Sequence, residues 1–86
     1  MVIEMFTRTT CPYCVMAKSL LRSKGLAFKE IEITNDIELK NEMMRRSLRR
    51  TVPQIFINGA PIGGYDEMAA LDACGRLDEM LEAVGV

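Results

Sequence analysis

Two cysteines separated by two residues, in the run Cys11-Pro12-Tyr13-Cys14, are the side chains of this sequence best equipped to do chemistry. Thiols at that spacing can close and open a disulfide with each other, ligate a soft metal, or staple a loop. A zinc site usually takes four Cys or His ligands. The chain has three cysteines and no histidine, which disfavours a closed site within one chain and leaves only zinc shared between two. A purely structural disulfide closing so small a loop would constrain the unfolded chain little. No secretion signal precedes it to imply an oxidising destination. Reversible thiol–disulfide exchange is the reading that C-x-x-C beside a strand–helix–strand pattern favours.

That chemistry needs elements that hold the first sulfur where a negative charge is welcome. The apolar run Val2 to Phe6 reads as a strand entering the motif, and Ala17, Leu20 and Leu21 recur at helical spacing after it. Cys11 therefore falls at the start of a helix, where unpaired backbone N–H groups and the positive end of the dipole favour a thiolate. Pro12 suits the first helical position, since its missing N–H would have had no partner there. Cys14 follows about one turn along, within disulfide reach. Arg8, three residues before Cys11, adds a second positive influence.

The rest of the chain supplies a scaffold of alternating periods. The first strand, to Thr7, is apolar enough to sit inside a sheet. The first helix is expected from Pro12 to about Ser23, with Gly25 as a left-handed stop. Phe28 to Ile33, with Ile31 and Ile33 alternating with Glu30 and Glu32, predicts a half-solvated strand parallel to the first. Asn35 and Glu38 resemble a capping box, predicting a helix from Asp36 to about Leu48 with Leu39, Met43 and Leu48 facing the core. Gln54 to Asn58, the Asn58-Gly59 turn and Pro61 to Ile62 form a predicted β-hairpin. Gly63-Gly64 breaks it, and Asp66 is expected to cap a helix reaching Cys74, with Ala70, Leu71 and Cys74 on its apolar side. Leu77, Leu81 and Val84 mark a last helical stripe whose neighbours Asp78, Glu79 and Glu82 face water. The order predicts an α/β, thioredoxin-like fold: a four-stranded mixed β-sheet flanked by helices on both faces.

The 86 residues are expected to make a single domain, 1–86, around one modest core, and 49% hydrophobic residues suffice to build it. A net charge of −1 gives no general attraction to nucleic acid or anionic membrane, and no apolar run approaches spanning length. The expected location is cytoplasmic and the expected state a monomer. Charge is uneven: Arg45, Arg46, Arg49 and Arg50 crowd one segment, while acidic residues gather towards the C-terminus. The arginines read foremost as a solvated helix end favoured by the dipole. Cys74 reads as an inert buried thiol and the methionines as core filling.

With Cys11-Pro12-Tyr13-Cys14, Thr51-Val52-Pro53-Gln54-Ile55-Phe56-Ile57 and Gly63-Gly64-Tyr65-Asp66 in that order, the chain closely resembles a glutaredoxin of the small bacterial dithiol class. The resemblance covers essentially the whole chain. It implies glutathione-dependent reduction of protein disulfides and glutathionylated proteins, with glutathione as co-substrate and no metal. Ribonucleotide reductase stands among the protein substrates implied. Cys11 would be the nucleophile and Cys14 the resolving thiol. Arg8 stands where the family commonly has Lys, keeping the charge and adding a fork suited to carboxylate. By the same resemblance Pro53 is cis and the backbone at Thr51 and Val52 pairs with the cysteinyl part of glutathione. The helix start at Gly64 receives the γ-glutamyl carboxylate, and Asp66 the ammonium. Tyr13 lines the groove, Tyr65 contributes its backbone, and Arg49 reaches the glycyl carboxylate at the far end. Two other functions compete: an iron–sulfur cluster module, disfavoured because relatives of that kind typically have Cys-Gly-Phe-Ser, and a redoxin served by thioredoxin reductase.

Overall fold

A computed structural model describes residues 2–84, with side chains through Leu81, so the expected places of the Glu82 and Val84 side chains lie outside the described residues. The chain runs β1 (Ile3–Thr7), α1 (Pro12–Ser23), β2 (Lys29–Glu32), α2 (Ile37–Ser47), β3 (Gln54–Ile57), β4 (Ala60–Gly63), α3 (Tyr65–Ala73) and α4 (Arg76–Val84). The sheet order is β2-β1-β3-β4, with β1 parallel to β2 and the other pairs antiparallel. This is the mixed sheet the periodicity predicts. The inner place of β1 explains why its residues are apolar almost without interruption.

Alternation along the inner strands divides the core into two. Ile3 and Met5 of β1 and Ile55 and Ile57 of β3 pack against Ala17 and Leu21 of α1, Met68 of α3, and Leu77 and Leu81 of α4. On the opposite face Phe6 and Phe56 meet edge to face, with centroids 5.6 Å apart, and Met43 of α2 covers them together with Ile33. The hairpin turns on Asn58 and Gly59, both at positive φ. The Asn58 side chain accepts the Val2 N–H at 2.7 Å, fastening that turn to the strand beside it. Among the described residues no helix is long and apolar enough to cross a membrane.

Four details depart from expectation. Asn35 does not open α2; Asp36 caps it, accepting the Leu39 N–H at 3.1 Å. Leu48 is not a core residue: the helix ends at Ser47, and Leu48 follows as a left-handed cap, 88% exposed. Asp66 is not the cap of α3, which begins two residues earlier than that cap implies, at Tyr65 with Gly64 at the cap. Cys74 is exposed, as is Ala70, because α3 turns Met68 into the core with only Leu71 of the expected side packed beside it. Its apolar residues are spread around the helix, so no single stripe predetermines the buried side.

The arginine cluster also divides. Arg45 and Arg50 are exposed, but the Arg46 guanidinium lies 4.2 Å from the Phe56 ring centroid and 5.6 Å from that of Phe6. It also binds Glu4 at 2.7 Å. That hydrogen bond holds the Glu4 carboxyl below the usual carboxylate range. Arg46 thus closes one core cluster from above. Arg46→Ala is expected to lower the unfolding free energy by about 1–2 kcal/mol, whereas Arg45→Ala should change it by less than about 0.5 kcal/mol, as read by urea denaturation.

Candidate functional site

The β1–α1 junction fixes the cysteines. Past the end of β1 the Thr9 N–H donates to Thr34 Oγ1 at 3.0 Å and its hydroxyl bonds Glu32 at 2.8 Å, tying the turn to the end of β2. Cys11 then takes the N-cap of α1 in extended conformation, and its Sγ accepts the Cys14 N–H at 3.3 Å. A sulfur thus stands where Ser, Thr, Asp or Asn normally supplies an oxygen to the unpaired donors of a helix start. Cys11 is half-buried and its Sγ lies 4.0 Å from the Val52 carbonyl oxygen. One turn on, Cys14 points inward and is buried. Burial pushes its thiol up to about 12, the hydrogen bond to Cys11 acts in the same direction, and the Arg8 backbone N–H opposes them.

A cavity of about 160 Å³ opens between this helix start and that of α3. Tyr13 lines it from α1, and Arg49, Thr51, Val52 and Pro53 line it from the segment ahead of β3. Gly64, Tyr65 and Asp66 close it from α3. The Val52–Pro53 peptide bond is cis. Buried Gln54 holds the segment from behind, donating from Nε2 to the Thr51 carbonyl at 3.0 Å and the Thr51 hydroxyl at 3.3 Å. Tyr13 and Tyr65 face each other across the opening with centroids 6.3 Å apart. Segments far apart in sequence therefore converge on one groove.

The two arginines expected at the site sit in different surroundings. The Arg8 side chain is exposed and lines a second cavity of about 330 Å³ with Ile33, Asn35, Asp36, Ile37 and Lys40. Arg49 does line the groove, but its Nη1 is held by Glu67 Oε1, at the α3 end rather than an opposite one. Glu67 is the groove residue that the sequence reading misses. Its Oε1 accepts the Gly64 N–H at 2.9 Å, and that hydrogen bond first, then Arg49, holds the carboxyl below its usual range. The available signal was the Gly64-x-x-Glu67 spacing, one half of a capping box with glycine in place of Ser or Thr.

A helix start capped by the first cysteine of a C-x-x-C pair beside a cis-proline segment, on a sheet of this order, defines a thiol–disulfide oxidoreductase of the thioredoxin-like class. The glutaredoxin sequence family matches residues 3–62. The chain is 51% identical over 80 residues to glutaredoxin 3 of Escherichia coli strain K12, covering 93% of this chain and 96% of that one. A glutaredoxin from Brucella melitensis superposes with a TM-score of 0.81 at 46% identity, over 93% of this chain and 87% of that one. A buckwheat glutaredoxin–glutathione complex superposes with a TM-score of 0.86 at 30% identity, over 96% and 78%. The chain belongs to the glutaredoxin family. Its activity is glutathione-dependent thiol–disulfide exchange.

The contrast between the cysteines has a direct readout. Because the Cys14 thiol is raised to about 12, it stays protonated between pH 7 and about 10. Brief iodoacetamide treatment of the reduced protein in that range is expected to label Cys11 and the exposed Cys74 and to spare Cys14, as located by peptide mass mapping. Labelling of Cys14 as fast as Cys11 would contradict the buried-thiol assignment.

Proposed function

We propose that Cys11 is the nucleophile and Cys14 the resolving thiol in the reduction of protein disulfides and glutathionylated proteins, with the glutathione moiety held in the groove between Tyr13 and α3. The observation that carries this reading is the Cys11 sulfur itself. It accepts a backbone N–H at a helix start and stands 4.0 Å from the carbonyl of Val52, a residue that lines the groove. An extended cysteinyl segment lying along Thr51 and Val52 would bring its own sulfur to Cys11. The backbone N–H groups at the start of α3, that of Gly64 included, suit the γ-glutamyl carboxylate, and the exposed Asp66 carboxylate suits its ammonium. Arg8, exposed three residues before Cys11, keeps its expected part in holding a glutathione carboxylate, while Arg49 is paired with Glu67 and is not assigned to the glycyl carboxylate.

The steps follow from thiolate chemistry. The Cys11 thiolate attacks the glutathionyl sulfur of a mixed disulfide, and the substrate sulfur leaves as a thiolate and takes a proton. A second glutathione then attacks the Cys11-bound glutathionyl sulfur, forming glutathione disulfide and returning the Cys11 thiolate. Cys14 takes no part. With a protein disulfide, Cys11 forms a mixed disulfide with one substrate sulfur. Cys14 attacks Cys11, the substrate sulfur leaves, and the Cys11–Cys14 disulfide is reduced by two glutathiones. The environment of Cys14 suits this timing. Two influences that disfavour its ionisation, the hydrogen bond to Cys11 and the charge of Cys11, disappear once Cys11 is joined to substrate. Burial, the largest influence, persists, so the resolving thiol is eased towards ionisation rather than freed outright.

This chemistry belongs in a compartment where glutathione keeps thiols reduced, in agreement with a cytoplasmic location. We take residues 1–86 as one domain acting as a monomer, with ribonucleotide reductase among the substrates to try. Cys11→Ser is expected to abolish both reactions, while Cys14→Ser retains deglutathionylation and loses protein-disulfide reduction; equal loss in the two variants would refute the division of roles. Asp66→Ala is expected to raise the KM for the glutathione mixed disulfide several-fold with little change in kcat, and an unchanged KM would move the γ-glutamyl contact elsewhere.

A further inference from the structure

The groove already contains a carboxylate of the protein's own. Glu67 Oε1 takes the single proton that the Gly64 N–H can donate, at 2.9 Å, and also receives Arg49 Nη1. These are the kinds of donor that an anionic ligand would use at a helix start. The surrounding turn is shaped for this guest. Gly63 has a φ of +113°, and a Cβ there would come within 2.6 Å of Glu67 Oε1. A Cβ at Gly64 would meet the Pro53 carbonyl at 3.2 Å. The double glycine thus brings α3 close to the cis-proline segment and leaves room for the Glu67 side chain.

We propose that Glu67 is an internal competitor for the γ-glutamyl carboxylate, holding Arg49 and the Gly64 N–H until a ligand carboxylate displaces it, and so sets a threshold on glutathione affinity. This rests on the groove being the glutathione site. Glu67 is a specificity-setting residue, with no part in sulfur transfer. Its pair with Arg49 is half-exposed on both sides, so the contact is weak enough to exchange in water. Displacement leaves Glu67 in solvent and transfers the guanidinium to the ligand. The expected consequence is selectivity: a ligand lacking that carboxylate cannot draw Arg49 away and leaves the resting pair intact.

Glu67→Gln separates the charge from the cap, because the amide oxygen still accepts the Gly64 N–H while its hold on Arg49 loses the ionic part. KM is measured with the mixed disulfide of glutathione and 2-mercaptoethanol. It is measured again with the same disulfide of 4-aminobutyryl-cysteinyl-glycine, which keeps the amine and lacks the carboxylate. Glu67→Gln is expected to lower KM for the glutathione disulfide by about two- to fivefold, the range of an exposed ion pair, with kcat unchanged. It should leave KM for the analogue unchanged, and the gain should vanish in an Arg49→Ala background. An unchanged or higher KM for the glutathione disulfide overturns the proposal. So does an equal gain with the analogue, or a gain that survives Arg49→Ala, either of which would indicate a general charge effect. A wild-type protein that accepts both disulfides with the same KM would instead remove the γ-glutamyl reading of the groove on which the proposal stands.

Discussion

Everything in this molecule that bears on chemistry depends on one hydrogen bond, from the Cys14 N–H to the Cys11 sulfur at 3.3 Å. A helix must satisfy the donors of its first turn, and here the acceptor is the Cys11 sulfur, the proposed nucleophile. The bond places that sulfur on the helix axis side where negative charge is favoured, and fixes its direction relative to the groove. Pro12 contributes by needing no partner of its own at the first helical position. Inner strand β1, buried on both faces, gives the junction a rigid base, and the Thr9 contacts to Glu32 and Thr34 keep the turn against β2.

From this constraint follows the division of labour between two thiols of identical intrinsic chemistry. One turn of helix takes Cys14 from the cap into the core, where burial and its neighbour keep it protonated. Cys11 stays half-buried at the surface, beside a segment whose backbone is held by Gln54 from within. Groove and nucleophile are thus parts of one arrangement. Gln54, deep in the protein, holds Thr51 of one wall, so packing and the groove are coupled through β3.

Much of this was legible in the chain because it rests on local rules. The two-residue spacing of Cys11 and Cys14, Pro12 at the first helical position and the Asn58-Gly59 turn each specify a geometry over a few residues. The inner place of β1 follows from its largely apolar character, broken only by Glu4 before Thr7. What the sequence concealed depends on contacts across the fold. Arg46 reads as one of several surface arginines until Phe6, Phe56 and Glu4 are brought beneath it. The burial of Cys74 was expected from helical spacing, but α3 has apolar residues on more than one side, and packing chose Met68. Glu67 is hidden in the sequence by Asp66, which has the residue type of a cap, whereas a glycine caps the helix and the acid three residues on completes it. Leu48 followed the helical period one residue too far, onto a left-handed cap that exposes its side chain.

The most direct test of the account is the electron donor. Purified protein is given a glutathione mixed disulfide in two arms, one with glutathione, glutathione reductase and NADPH, the other with thioredoxin reductase and NADPH in place of the glutathione system. Rapid turnover driven by glutathione, with none from thioredoxin reductase, is the result the groove and the Cys11 sulfur predict. Turnover only with thioredoxin reductase would contradict it, leaving the fold and the two thiols in place but making the groove a surface for another protein.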